Sequence, residues 1–136
     1  ARMEGISAIV LAAGESTRMG RLKALLPWQG VTLVEYQIDS LRRSGVSHVV
    51  LVTGHRGDEV GAVVQDRLGV NVVHNPDYRQ GKTTSIKTGL RQISWSAMGV
   101  LVMAVDQPRP VDILEAVVRA HMDGLDSLPA LHIEAI

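Results

Sequence analysis

The sequence predicts an α/β domain with a mainly parallel sheet and helices on both of its faces. Apolar runs rich in β-branched residues alternate along the chain with segments whose apolar residues recur at helical spacing. The apolar runs are also continuous, which is typical of parallel strands because both of their faces are buried. In open parallel sheets ligands bind at the carboxyl ends of the strands, so we expect a functional site there.

Four strands are expected, with the boundaries Ile6–Ala12, Val49–Thr53, Val70–His74 and Val100–Val105. Four helices alternate with them. The first helix follows a capping box, Thr32-Leu33-Val34-Glu35, and ends before Gly45; the fourth runs from Pro110 to about Met122. The first three helices are predicted from apolar residues at helical spacing. These residues are Val34, Ile38 and Leu41 in the first helix, Val60, Val64 and Leu68 before Gly69 in the second, and Ile86, Leu90 and Ile93 after Gly81 in the third.

Composition limits the function classes. The 136 residues favour one domain over 1–136, and 46% apolar residues are enough for a folded core. Fourteen basic and fourteen acidic residues cancel, so no general field favours nucleic acid or an acidic membrane. The absence of cysteine excludes disulfides, thiolate metal sites and a cysteine nucleophile. With no membrane-length apolar run and no signal peptide, we expect a cytoplasmic protein.

A glycine-containing loop, Gly14–Lys23, follows the first predicted strand directly. Backbone N–H groups around Gly14 to Thr17, the guanidinium of Arg18 and the ammonium of Lys23 form a set that suits a polyphosphate. The alternative is that the basic side chains of this loop are solvated surface charges. From the residues alone, the two interpretations are equally acceptable.

Two well-known phosphate-binding loops do not fit. A Walker A loop needs a first glycine five residues before Gly81-Lys82-Thr83, but that position is Pro76. A dinucleotide fingerprint needs a second glycine two residues after Gly14 and an acidic residue at the end of the second strand. The chain has Ser16 at the first of these positions and Thr53-Gly54-His55 at the second.

The loop resembles the signature of nucleotidyltransferases that activate small phosphorylated molecules. The residues that carry the resemblance are LAAGESTRMG from Leu11 to Gly20, then Lys23, LLPW at 25–28, Thr53-Gly54, Asn75-Pro76, Gly81, Ser85 and Asp106-Gln107-Pro108. Within this group the chain is identified as a member of the MobA-like family and is most similar to molybdenum cofactor cytidylyltransferases. The resemblance covers 6–122 and implies a three-layer, Rossmann-like nucleotidyltransferase fold.

The resemblance also implies roles for individual residues. The family transfers a nucleoside monophosphate to an acceptor phosphate and releases pyrophosphate. Arg18 and Lys23 are then the catalytic residues, and Asp106 holds Mg²⁺, although it could instead be a turn residue before Pro108. The implied nucleotide-binding residues are Leu11, Ala12, Ala13, Gly14, Glu15, Ser16, Thr17, Thr53, Gly54, Gly81 and Ser85. For Ser85, the alternative is helix capping together with Thr83 and Thr84.

The sequence indicates the nucleotide and the acceptor less specifically than it indicates the family. Ala13 adds a methyl group where guanylyl-transferring relatives commonly have glycine, which favours CTP over GTP. The resemblance implies a phosphorylated acceptor of the molybdopterin type, and self-association or a molybdoenzyme as partner. The alternatives are a guanylyltransferase, a sugar-phosphate nucleotidyltransferase, or a nucleotide-binding protein without full turnover.

The last residues depart from the family pattern. Family members continue with further strands, the acceptor-binding surface and a second metal-binding aspartate in a segment such as D-x-N-T-P, which this sequence lacks. Residues 123–136 stay unassigned, and the neighbours of Asp126 do not support it as the second ligand. We therefore expect a fold without the carboxyl-terminal part, whose open sheet edge favours self-association.

Overall fold

A computed structural model describes residues 5–14, 17–18, 21–93, 97–105, 113–117, 119 and 132–135. The strands in these ranges are β1 (Ile6–Ala12), β2 (Thr17–Arg18), β3 (Arg21–Leu22), β4 (Pro27–Trp28), β5 (Val31–Thr32), β6 (His48–Thr53), β7 (Val70–His74), β8 (Gly99–Ala104) and β9 (His132–Ala135). The helices that they alternate with are α1 (Leu33–Arg43), α2 (Gly57–Ala62) and α3 (Lys82–Leu90), and short 3-10 turns occupy Lys23–Leu25 and Tyr78–Gln80.

The main sheet has the strand order β7-β6-β1-β8-β9, and all of its pairs are parallel. The predicted α/β fold with a mainly parallel sheet is therefore confirmed. The chain adds β6 and β7 on one side of β1, and then β8 and β9 on the other side. The strand order thus reverses between β1 and β8, and the carboxyl ends of these two strands border the crevice where such sheets bind ligands.

Both faces of the sheet are buried, because alternate residues of β1 pack in opposite directions. On one face Ile6 and Val10 pack in a cluster with Ile38 and Leu41 of α1 and with Val60 of α2. The second cluster joins other β1 residues to α3, through the side chains Ile9, Leu11, Ile86 and Leu90. The sheet is the middle layer of three, which explains why its central strands β1, β6 and β8 are mostly apolar.

The capping box that the sequence predicts begins α1 as expected. The Glu35 backbone N–H donates to Thr32 Oγ1 over 3.3 Å, and the Thr32 backbone N–H donates to Glu35 Oε1 over 3.1 Å. Two orphan N–H groups of the first turn are satisfied in this way. The helix ends at Arg43, and Gly45 follows with a φ of +108°.

The second and third helices are shorter than predicted. Helix α2 ends at Ala62, and the chain turns at residues 63–66, so Val64 is buried from the turn while Leu68 is 84% exposed. The expectation that Leu68 continues the apolar face of this helix is therefore wrong. Helix α3 ends at Leu90, and Ile93 packs on the second cluster from beyond the helix.

The carboxyl-terminal region gives one strand that the sequence did not predict. Strand β9 lies in the segment left unassigned and pairs with β8 in parallel, with Val100 opposite Ile133. Part of the predicted fourth helix is present, at residues 113–117 and 119. Its expected ends, Pro110 and Met122, lie outside the described residues. None of the helices in the described ranges is long and apolar enough to cross a membrane.

The capping box makes a prediction about acid stability. Burial of the Glu35 carboxyl acts to raise its pKa, but the hydrogen bonds from Thr32 and the charge of Arg67, 2.8 Å from Glu35 Oε2, outweigh it, and the pKa lies below 4.5. Between this pKa and 4.5 the unfolded chain binds more protons, so the Glu35 contribution to stability is present above 4.5 and is lost as the pH falls.

We therefore expect the free energy of unfolding in urea to fall more steeply for wild type than for Glu35→Gln between about pH 5 and pH 3. Glutamine keeps an acceptor for the capping box but has no titratable group. Equal slopes for the two proteins would contradict this assignment.

Candidate functional site

The site is built around the carboxyl end of β1. Leu11, Ala12 and Ala13 are buried there, and Gly14 is the first exposed residue. Two neighbouring segments form backbone hydrogen bonds with this end of β1. The Val105 N–H donates to the carbonyl of Leu11 over 3.0 Å, and the His55 N–H donates to the carbonyl of Ala13 over 3.3 Å. The segments that follow β8 and β6 are therefore held against the start of the glycine loop.

A first cavity, of about 140 Å³, lies on the α2 side of this end; we call it the lysine cavity. Its lining residues are Leu11, Ala12, Gly14, Leu22, Lys23, Ala24, Val60 and Val105. Lys23 begins the 3-10 turn Lys23–Leu25 and brings a positive charge to walls that are otherwise apolar or backbone. A cavity of this kind suits an anionic group such as a phosphate.

A second cavity, of about 220 Å³, lies on the α3 side; we call it the serine cavity. Its lining residues are Leu11, Ala13, Gly14, Tyr78, Lys82, Ser85 and Ala104. Apolar walls, the aromatic ring of Tyr78, the hydroxyl of Ser85 and the ammonium of Lys82 suit a flat ring with a polar edge. Leu11 and Gly14 line both cavities, so a ligand that fills both would pass over the Gly14 backbone.

Gly54 fixes how closely β6 and the Tyr78 turn approach the end of β1. A Cβ on Gly54 would lie 2.6 Å from the carbonyl oxygen of Ala13 and 2.6 Å from Tyr78 Cβ. Only glycine fits there without movement of the backbone. Gly54 also lines a third cavity, of about 440 Å³, with Arg56, Gly57, Asp58, Glu59 and His74.

Thr53 and Gly81 are two further residues that the sequence predicts to bind the nucleotide. Thr53 is buried at the end of β6, and its hydroxyl donates to the carbonyl of Val73 over 3.5 Å. Gly81 is exposed at the N-cap of α3 with a φ of +117°, and its missing Cβ faces open space. Neither residue is among those that line the lysine cavity or the serine cavity. That they contact the nucleotide stays a prediction.

The remaining predicted site residues belong to the glycine loop and to the segment after β8. Glu15, Ser16 and Asp106 lie outside the described residues. Thr17 and Arg18 are described as backbone, in β2, which pairs antiparallel with β3 so that Arg18 is opposite Arg21. The loop therefore folds back on itself before Lys23. The described part of the chain contains no group of three or more His, Cys, Asp or Glu residues that could hold a metal ion.

Sequence reasoning missed two residues of this region. Tyr78 forms a wall of the serine cavity, and Asn75 is buried behind Ser85, within 2.9 Å of its hydroxyl oxygen. Lys82, which belongs to the rejected Walker A match, lines the same cavity. The Asn75-Pro76 turn before Gly81 was the available signal, but which cavity it supports depends on how the turn packs against β1.

The profile of the MobA-like NTP transferase domain family matches residues 8–129. Among curated proteins, the molybdenum cofactor cytidylyltransferase of Escherichia coli is 39% identical over 88 residues, 65% of this chain and 45% of that protein. A bifunctional IPC transferase and DIPP synthase from Rubrobacter xylanophilus is 39% identical over 113 residues, 79% of this chain and 26% of that protein. The profile extends past residue 122, into the segment that the sequence alone left unmatched.

A solved structure shows the same similarity in three dimensions. A nucleotidyl transferase from Methanothermobacter thermautotroptrophicus superimposes with a TM-score of 0.73 at 32% identity, over 84% of this chain and 56% of that one. The chain therefore spans about half or less of the length of each of these relatives. The family match, over residues 8–129, contains the glycine loop and the residues that line the two cavities.

Proposed function

Because the chain belongs to the MobA-like NTP transferase domain family, we propose that it forms the nucleotide-binding part of a Mg²⁺-dependent nucleotidyltransferase. The reaction is transfer of CMP from CTP to a phosphorylated acceptor, with release of pyrophosphate. The observation that carries the proposal is the pair of cavities that share Leu11 and Gly14. The serine cavity has apolar and aromatic walls and is also lined by Ser85 and Lys82, whereas the lysine cavity contains Lys23. Together they match the base and the phosphates of one nucleotide.

We favour cytosine over guanine because of the Ala13 methyl group, which lines the serine cavity. A pyrimidine ring is smaller than a purine and needs less room beside that methyl group. The relative named as a cytidylyltransferase supports the same choice. As acceptor we propose a phosphate of the molybdopterin type, which rests on the resemblance of the glycine loop.

The transfer step needs charge stabilisation more than proton transfer. An acceptor phosphate oxygen attacks the α-phosphorus, the bond from the α-phosphorus to the bridging oxygen breaks, and pyrophosphate leaves with the electron pair. A phosphate monoester has a second pKa of about 6, so the attacking oxygen is largely ionised at neutral pH without a general base. Lys23 and Arg18 would offset the charge that develops on the leaving pyrophosphate.

Asp106 is proposed to hold the Mg²⁺ ion. Val105, the residue before it, lines the lysine cavity and is bound through its N–H to the Leu11 carbonyl. A carboxylate that follows at this point, together with phosphate oxygens, matches the oxygen ligands that Mg²⁺ prefers. The ion would neutralise phosphate charge and help to orient the triphosphate.

Calorimetric titration with CTP and GTP, each with and without Mg²⁺, tests the proposal. We expect binding that depends on Mg²⁺ and prefers CTP. Lys23→Met should weaken CTP binding about tenfold, the size expected for loss of one charged contact. Lys87→Met, which removes an exposed lysine of α3, is the matched control and should change nothing. A preference for GTP would indicate a guanylyltransferase, and failure to bind either nucleotide would refute the proposal.

A further inference from the structure

Asn75, in the loop after β7, is 1% exposed and every polar group of its side chain is hydrogen-bonded. Its Nδ2 group donates to Ser85 Oγ and to Thr84 Oγ1, each over 2.9 Å. Its Oδ1 accepts from the Asp77 backbone N–H over 2.9 Å. Asn75 therefore joins the turn after β7 to the first turns of α3, directly behind the serine cavity.

The orientation of the Asn75 amide is fixed by this pattern. A backbone N–H can only donate, so the atom that faces Asp77 must be the amide oxygen. The NH₂ group consequently faces the two hydroxyl groups, and both hydroxyl oxygens act as acceptors toward it. Turning the amide over would place two donors against each other at Asp77.

The two hydroxyl groups differ in where their own hydrogen can go. Thr84 Oγ1 has backbone acceptors, the carbonyl oxygens of Gly81 at 2.7 Å and Asp77 at 3.0 Å. For the Ser85 hydroxyl, no hydrogen-bond acceptor is found among the residues that the structure describes. Ser85 is 2% exposed and lines the serine cavity. Within the described ranges, the Ser85 hydroxyl therefore accepts from Asn75, and its own hydrogen has no partner.

We propose that Asn75 is a specificity-determining positioning residue that makes Ser85 a hydrogen-bond donor into the serine cavity. The cavity then selects a heteroaromatic ring whose edge presents an acceptor, such as the O2 or N3 atom of cytosine. A ring edge that only donates leaves the buried Ser85 hydrogen unpaired, which is unfavourable. This inference rests on the proposed function, because it takes the nucleobase to occupy the serine cavity.

The test compares CTP with ribose 5-triphosphate, which has the sugar and phosphates but no base. The measured quantity is the ratio of the two affinities, which a partly unfolded variant does not change. Asn75→Asp keeps the shape of the side chain, but a carboxylate accepts the Ser85 hydrogen instead of donating. We expect the CTP preference to fall about tenfold in Asn75→Asp and in Ser85→Ala.

A double variant separates positioning from a general structural role. In the Ser85→Ala background, Asn75→Asp should cause no further loss of the CTP preference, because the hydroxyl through which Asn75 acts is gone. Thr84→Val, which removes the other hydroxyl bound to Asn75, should leave the preference unchanged. Additive losses, or equal weakening of ribose 5-triphosphate, would overturn the inference.

These outcomes also distinguish the inference from the proposed function. If wild type prefers CTP to ribose 5-triphosphate and the ratio stays the same in Ser85→Ala and Asn75→Asp, the inference is wrong while the proposed function stands. If wild type does not bind CTP, both are wrong.

Discussion

Replacing Asp106 with asparagine is expected to lower the rate of pyrophosphate release from CTP by about 1,000-fold. A bound divalent cation supplies several kcal/mol of charge stabilisation in phosphoryl transfer, and each 1.4 kcal/mol or so corresponds to a factor of ten. Asparagine keeps the size of the side chain and removes the charge that we propose as the ligand of the ion. The measurement is steady-state pyrophosphate release with CTP, Mg²⁺ and molybdopterin as acceptor.

The same variant should lose the part of CTP binding that depends on Mg²⁺ and keep the part that does not. Asp66→Asn is the matched control, since Asp66 is exposed in the turn after α2 and lines none of the three cavities. Full activity of Asp106→Asn would show that the metal ligand lies elsewhere. If wild type binds CTP but releases no pyrophosphate, the chain is a nucleotide-binding module rather than a complete enzyme.

The parts of the fold that the sequence predicted are those with local determinants. Strand β1 is recognisable because six of its seven residues are apolar, and both of its faces are buried. Helix α1 is recognisable because Thr32 and Glu35 make reciprocal hydrogen bonds within one turn. These signals depend on a few neighbouring residues, so they are visible without tertiary structure.

The errors have non-local causes. Strand β9 has the sequence His-Ile-Glu-Ala, whose alternating polarity and short length do not distinguish it from a loop; its pairing with β8 defines it. Helix α2 was predicted too long because Val60, Val64 and Leu68 have helical spacing. The chain turns at residues 63–66, which leaves Val64 buried and Leu68 in solvent. Tertiary packing thus overrides a helical spacing that is present in the local sequence.

The candidate site also combines residues with local sequence signals and residues that only tertiary packing brings in. Leu11, Gly14 and Lys23 were predicted from one continuous motif, and the structure brings them together around the lysine cavity. Tyr78 and Asn75 belong to the site only because the turn after β7 packs against the end of β1. That contact depends on Gly54, which the sequence places at the end of the second strand without indicating what packs against it.

Gly54→Ala is therefore expected to be the most damaging single methyl addition in the site. The new Cβ would lie 2.6 Å from the carbonyl oxygen of Ala13 and 2.6 Å from Tyr78 Cβ, the root of that side chain. Neither atom can move without its backbone, so we expect a loss of about 2–3 kcal/mol in the free energy of unfolding, measured in urea. Because Ala13 and Tyr78 both line the serine cavity, affinity for CTP should also fall.

Gly61→Ala provides the comparison for this substitution. Its Cβ would meet a methyl carbon of Val72 at 3.1 Å, at the end of a side chain that can adjust, and alanine is a better helix former than glycine. We expect its stability to stay within about 1 kcal/mol of wild type. If Gly54→Ala were equally mild and bound CTP normally, the close approach at Gly54 would not be what shapes the serine cavity. In that case the base would have to be positioned by Ser85 and the glycine loop.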